Sequence, residues 1–201
     1  MNKAKDKRQL IMETAVGLFA RYGFTKTSLE DIASAAQIAK GTVYYYFPGK
    51  EELFTSVIEQ KMEEYYLMLQ EHLDSVEGFE QKLREVLHVP VKFIYEHMPV
   101  LIEDLRTLPF TYQDRLIEFR EYNRERVKLM IQDILKLGAQ EGLLNESLDP
   151  DKFSEVMTNW FLLGDDNIQV IDIKKMIAKM ETDHEVIIQI LLYGIIKRGN
   201  K

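Results

Sequence analysis

The chain has 201 residues, 46% of them apolar and 29% charged, with no cysteine and a formal net charge of −7. This composition excludes a collagen-like, low-complexity or intrinsically disordered chain, and it removes any disulfide framework or thiolate metal site. At this length the chain forms one large domain or a small domain joined to a larger one, either able to bury a core.

The acidic total argues against a nucleic-acid partner, but the distribution of charge argues for one. Residues 1–50 hold eight Lys or Arg against four Asp or Glu, a net +4, whereas residues 51–201 hold 18 against 29, a net −11. A small basic module on a larger acidic body suggests a polyanion-binding surface at one end only. The longest apolar stretch, residues 186–196, is interrupted by Gln189 and Gly194 and falls short of the ~18 residues a spanning helix needs. The basic first residues lack the apolar run of a signal peptide. A cytoplasmic protein with no membrane partner is expected.

Helical periodicity dominates throughout. Leu10, Ile11, Ala15, Leu18, Phe19 and Tyr22 define one face of a first helix over residues 7–22, and Gly23 follows as a left-handed cap. Thr27-Ser28-Leu29-Glu30 reads as a capping box, with Thr27 as N-cap and Glu30 reaching back, and Ile32, Ala33 and Ala36 form the inner face of the helix that follows. After a break at residues 37–39 a short helix spans residues 40–47, with Tyr44 and Phe47 on its inward face. Pro48-Gly49 stops it. A long helix begins near Lys50 and runs to about Leu73, with Leu53, Phe54, Val57, Ile58 and Met62 as its apolar stripe. Beyond Gly78 a helix over residues 79–97 is kinked near Pro90, and a long helix runs from about Tyr112 to Gln140, ended by Glu141-Gly142. Asp149-Pro150 opens a helix to Gly164 with an acid cap and proline at the first helical position. A short helix near residues 172–180 and a last one over residues 183–198 complete the chain.

Two short helices joined by a turn of about three residues have the form of a helix-turn-helix. Lys40 and Lys50 bring positive charge. The hydroxyls of Thr27, Ser28, Thr42, Tyr45 and Tyr46 can donate to phosphate oxygens, and Gly41 lets the start of the second helix approach a duplex closely. The stretch TSLEDIASAAQIAKGTVYYYFPGKEELF, residues 27–54, resembles the DNA-binding module of the TetR family of bacterial transcriptional regulators. That module carries a run like A-G-V-S-K-G-T-L-Y-Y-Y-F-x-x-K-E-E-L, which residues 36–53 follow almost throughout. Phe19 and Tyr22-Gly23-Phe24 extend the likeness, so about the first 60 residues are covered. Two positions depart from the pattern. The turn glycine is Gln37, and a non-glycine residue in a left-handed position costs about 1 kcal/mol. The N-cap serine is Ala39, and losing a cap costs ~0.5–2 kcal/mol.

The resemblance implies an all-α protein: an N-terminal three-helix helix-turn-helix DNA-binding domain at residues 1–50, a connecting helix over residues 50–73, and a larger helical ligand-binding and dimerisation domain at residues 74–201. It places Lys40, Gly41, Thr42 and Tyr44 near base edges or adjacent phosphates in the major groove, with Thr27, Tyr45, Tyr46 and Lys50 holding the backbone. Specific affinity from one short helix calls for two copies on a two-fold operator. The stripe Phe153, Val156, Met157, Trp160, Phe161 and Gly164 and the stripe Val186, Ile187, Ile190, Leu191, Gly194 and Ile195 are the expected homodimer interface. A small-molecule ligand is expected among the middle helices, with Tyr95, Arg106, Tyr112, Tyr122 and Asn159 as polar candidates for its contacts. The chain thus reads as a repressor released from a palindromic operator by a small, largely apolar inducer. The alternative is a ligand-independent DNA-organising or protein-interaction factor with the same reading head.

No enzyme is expected. His72, His88, His97 and His184 form no His-Glu-x-x-His pattern, and there is no glycine-rich phosphate loop, G-x-S-x-G elbow or cysteine nucleophile. No metal site or cofactor is expected.

Overall fold

A computed structural model describes residues 3–87, 110–161, 186, 190–192 and 194–196, with the side chains of residues 3–5, 110–114, 116, 120, 160 and 161 excepted. Its helices are α1 (Lys3–Tyr22), α2 (Leu29–Ala35), α3 (Lys40–Tyr46), α4 (Lys50–Ser75), α5 (residues 79–87), α6 (Phe110–Gln140) and α7 (Pro150–Phe161). Among the described residues there is no strand, only an isolated antiparallel bridge between Leu144 and Ile196. The kink expected near Pro90 and the short helix near residues 172–180 lie outside the described residues.

The chain divides into two compact units, residues 1–65 with 98–119, and residues 66–97 with 120–201. The division falls inside α4, and the start of α6 belongs with the first unit.

In the first unit Ile11, Met12, Ala15 and Phe19 of α1 are buried, while Leu10 and Tyr22 of the expected face are exposed. Phe19, Phe24 and Phe54 form the centre of this core, with Phe54 edge-on to Phe19 at 5.2 Å and tilted against Phe24 at 4.9 Å. Such pairs add about 0.5–1.5 kcal/mol each beyond the area they bury. Gly23 has φ 81 and its amide donates to the Phe19 carbonyl at 2.8 Å, closing α1 as expected.

The end of α2 is a Schellman motif. The Ile38 amide donates to the Ala33 carbonyl at 3.0 Å and the Gln37 amide to the Ser34 carbonyl at 3.1 Å, with Gln37 at φ 55. Gln37 is thus in the left-handed conformation that glycine adopts without steric penalty. Replacing it with glycine is expected to raise stability by about 0.5–1 kcal/mol. Urea unfolding should show a higher midpoint with an unchanged slope; an unchanged midpoint would show that the strain is offset by other contacts of Gln37.

Farther along the first unit Arg115, on α6, clamps two carboxylates of α4. Its Nε and Nη2 donate to Glu59 at 2.7 and 2.6 Å, and its Nη1 donates to both oxygens of Glu52 at 2.8 and 2.9 Å. The carboxylates hold the guanidinium well above its ordinary pKa, Glu59 contributing most. Planar two-pronged pairing of this kind fixes geometry as well as adding energy.

In the second unit Leu69 and Leu73 of α4, Phe79, Leu83, Val86 and Leu87 of α5, Val127, Ile131, Ile134 and Leu135 of α6, Met157 of α7 and Leu192 and Ile195 are buried. A second Schellman motif ends α6. Gly142 has φ 69, and the Leu143 amide donates to the Gly138 carbonyl at 3.0 Å. Asp149 caps α7 as expected, its Oδ1 accepting from the amides of Asp151 and Lys152 at 3.0 Å each.

Candidate nucleic-acid interface

The second helix of the helix-turn-helix is a seven-residue element whose inward face is Val43 and Phe47, both within 1% of full burial. Val43 lies inside α3, and Phe47 is the C-cap that follows it, in extended conformation. Tyr44, expected inward with Phe47, is instead 42% exposed and turns its hydroxyl to Glu30. Tyr45 is 81% exposed and packs edge-on against the half-buried Tyr46 at 5.0 Å. Lys40 and Gly41 are exposed and Thr42 is half-buried. A Cβ added at Gly41 would meet nothing within 4 Å, so nothing inside the protein requires glycine there. Ala39 caps α3 with no side-chain hydrogen bond, as its residue type dictates.

The N-cap expected at Thr27 falls on Ser28. Ser28 is the N-cap of α2: its Oγ accepts from the Asp31 amide at 3.1 Å and Asp31 Oδ2 accepts from the Ser28 amide at 2.9 Å. The capping box is therefore Ser28 with Asp31, one residue later than Thr27 with Glu30. The Ser28 hydroxyl and amide hold the Asp31 carboxyl below its ordinary pKa. Thr27 is 3% exposed and its hydroxyl donates to the Gly23 carbonyl at 2.8 Å, so it ties the loop after α1 and does not reach solvent. Its assignment as a phosphate contact is corrected accordingly: a buried hydroxyl already donating its one proton has none for a phosphate.

Lys50, the first residue of α4, is half-buried and turns inward. Its Nζ donates to the Phe24 carbonyl at 2.8 Å and lies 4.3 Å from the centroid of the Phe24 ring. An ammonium has further protons to give, so this clasp is compatible with a phosphate contact. Arg8, which the sequence did not single out, lies 4.9 Å over the Phe47 ring with Nη1 2.9 Å from Met12 Sδ, roofing the end of α3.

Glu30, freed from capping, faces α3. It pairs with the Lys40 ammonium, and the same oxygen accepts from Tyr44 Oη at 3.4 Å. Lys40 holds the Glu30 carboxyl below its ordinary pKa, and Glu30 raises that of Lys40. The signal in the sequence was an acid in the first turn of one short helix and a lysine at the start of the next; its assignment to the capping box concealed it.

Residues 11–57 match the family model for bacterial regulatory proteins, tetR family. Over 177 residues, 80% of this chain and 78% of the relative, the chain is 30% identical to an Escherichia coli K12 protein named "Probable acrEF/envCD operon repressor". The chain belongs to the TetR family. This TetR-family chain is a DNA-binding transcriptional regulator. A transcriptional regulator from Cytophaga hutchinsonii superposes with a TM-score of 0.74 at 20% identity, covering 95% of this chain and 99% of that one, a likeness of fold. FadR from Bacillus subtilis, solved in complex with stearoyl-CoA, superposes with a TM-score of 0.60 at 23% identity, covering 93% and 98%.

The second unit carries an open groove of about 380 Å³, with Leu73, Leu129, Ile134 and Leu137 on its walls and Lys82 and Arg126 among its polar groups. The Arg126 guanidinium stands over the rings of Tyr66 and Tyr122, at 4.9 and 5.6 Å. The Lys82 amine donates to the Leu73 carbonyl near the end of α4. Of the candidate ligand residues, Tyr122 is 61% exposed beside Arg126, and Asn159 accepts from Arg124 at 3.0 Å. Tyr95 and Arg106 lie outside the described residues, as does the side chain of Tyr112.

Of the expected dimer residues, Met157 is buried within the single chain and Ile195, on the second stripe, is buried as well. Both serve the intrachain core and are withdrawn from the interface. Phe153 and Leu191 are half-buried, while Ile190 and Gly194 are exposed, in line with exposed Val186 at four-residue spacing. Gly164, Ile187 and the side chains of Trp160 and Phe161 lie outside the described residues. Among the described residues no group of three or more metal-ligating side chains converges, and no helix is long and apolar enough to cross a membrane.

Proposed function

We propose that the chain is a homodimeric repressor whose two α3 helices read the half-sites of a palindromic operator, and that a small, largely apolar inducer releases it. The observation that carries the reading is the outer face of α3. There Lys40, Gly41, Tyr44 and Tyr45 are exposed, while the helix is seated on Val43 and Phe47. A short helix that is pinned by two buried residues and otherwise presents a glycine, a cation and phenols has the make-up of a groove-reading element.

Tyr45, Tyr46 and Lys50 hold the backbone, Ser28 stands beside them at the start of α2, and Lys40, Gly41, Thr42 and Tyr44 lie nearest the bases or the adjacent phosphates. The dimer forms through the face bearing Val186, Ile190 and Gly194, with Phe153, Trp160, Phe161, Gly164, Ile187 and Leu191 as its further members. Uncovered apolar residues at four-residue spacing support this assignment. The inducer binds the residues 66–97 and 120–201 unit, which carries the groove. The stearoyl chain of the stearoyl-CoA bound by the FadR neighbour is the model for its apolar part. Such a ligand acts only through unequal affinity for the two states, and a hundredfold release requires about 2.7 kcal/mol of coupling.

The test is selection of duplexes from a random pool by the purified full chain, followed by titration of the complex with stearoyl-CoA and a panel of shorter apolar acids. A palindromic consensus, a dimer in sedimentation and release by one of these compounds are expected. Selection of no consensus, or a monomer at micromolar concentration, would overturn the repressor reading. A consensus complex that no apolar compound releases would favour the ligand-independent factor.

A further inference from the structure

We propose that Glu30 is a specificity-determining residue of the reading head, holding Lys40 in an internal ion pair so that the tip of α3 meets DNA as a neutral unit and Lys40 does not serve as a phosphate-neutralising cation. The inference rests on the assignment of α3 as the DNA-reading helix.

Three side chains from two helices converge here. Lys40 pairs with Glu30 although the two side chains are 57% and 48% exposed. Tyr44 Oη donates to the same carboxylate oxygen at 3.4 Å, and the Lys40 ammonium lies 5.5 Å from the Tyr44 ring centroid. Glu30 is not needed to cap its own helix, because Ser28 and Asp31 close that box between them. Its carboxylate is therefore available to α3, on the side that carries the residues closest to the bases.

The chemistry follows from the separation between positioning and reading. A cation seated on a phosphate raises affinity for every sequence alike and steepens the salt dependence. A lysine already neutralised adds little to either. The paired carboxylate still presents only acceptor oxygens, so a base edge satisfies it only by offering a donor, which in the major groove means the amino group of cytosine or adenine. Glu30 thereby penalises sequences lacking that donor more than the operator, a specificity obtained by disfavouring the wrong partner.

The full chain is compared with Glu30→Gln and with the double variant Glu30→Gln/Lys40→Ala, on a duplex selected by the parent and on a mixed-sequence duplex of equal length. Glu30→Gln is expected to bind the mixed-sequence duplex more tightly. It should also steepen log K against log salt by about 2 per dimer, one for each head, so that the affinity lost between about 50 and about 200 mM salt grows about tenfold. The preference for the selected duplex should fall. The double variant, neutral again at the tip, should return to the parental slope. An unchanged slope in Glu30→Gln, or a double variant that stays steep, would overturn the assignment of Glu30 while leaving a DNA-binding parent intact. A parent that binds no duplex would overturn both it and the reading of α3. Helix content by circular dichroism serves as the folding control, since both residues are at the surface.

Discussion

Replacing Gly41 with alanine is expected to detach the protein from DNA while leaving it folded and slightly more stable. An alanine in a helix is favoured over glycine by roughly 0.5–1 kcal/mol, and the added Cβ meets no atom of the protein within 4 Å. On the proposed reading of α3 the methyl group instead fills the space through which the helix approaches the duplex. Forcing an extra methyl into a close-packed contact costs about 1–3 kcal/mol. Two heads act together in a dimer, so the total is about 2–6 kcal/mol, a loss of thirtyfold or more in affinity. Urea unfolding and fluorescence anisotropy with a selected duplex measure the two effects on one preparation. A variant that binds as the parent does would show that α3 does not make a close backbone approach at this residue.

The same substitution at Gly138 is expected to do the reverse, lowering stability through the core. A Cβ built there lies 2.6, 2.7 and 2.9 Å from three carbons of the Phe79 ring, which is fully buried. The ring of α5 thus rests directly on the backbone of α6, and the interior is too densely packed for it to move away freely. Overpacking at about 1–3 kcal/mol outweighs the helix-propensity gain of up to about 1 kcal/mol. A fall of several degrees in melting temperature is expected, since each 1 kcal/mol shifts a chain of this size by about 2–4 °C. Pairing Gly138→Ala with Phe79→Leu should recover part of the loss, giving non-additivity in a double-mutant cycle. Additive losses would place the strain elsewhere.

Much of the reading head was legible because its signals are local. The left-handed cap at Gly23, the left-handed Gln37 in the turn, the uncapped start of α3 at Ala39 and the Asp149-Pro150 opening of α7 each follow from the residue at the position and its near neighbours. Where two neighbouring residues share a chemistry the choice between them was lost. Thr27 and Ser28 both suit an N-cap, and the cap falls on Ser28 because Thr27 is drawn inward to the Gly23 carbonyl. Tyr44 and Val43 both suit an inward face, and the phenol, which has a polar tip, stays outside.

The body was less legible for the same physical reason. Glycines in apolar helices suggested close packing at Gly164 and Gly194. In the single chain a Cβ at Gly194 would meet nothing within 4 Å, and the tight approach among the described residues is at Gly138. Near the C-terminus periodicity alone did not separate Ile195, which is buried, from Ile190, which is 66% exposed.

By itself, the amino-acid order determined most of the helix stops and which short segment carries the TetR-family motif, because turn conformation and motif spacing are properties of residues a few positions apart. Tertiary structure alone decided what each side chain faces. The partnerships of Glu30 with Lys40, Arg115 with Glu52 and Glu59, and Phe79 with Gly138 join residues from different helices. No helical period specifies such a meeting, since it depends on how separate helices pack once each has formed.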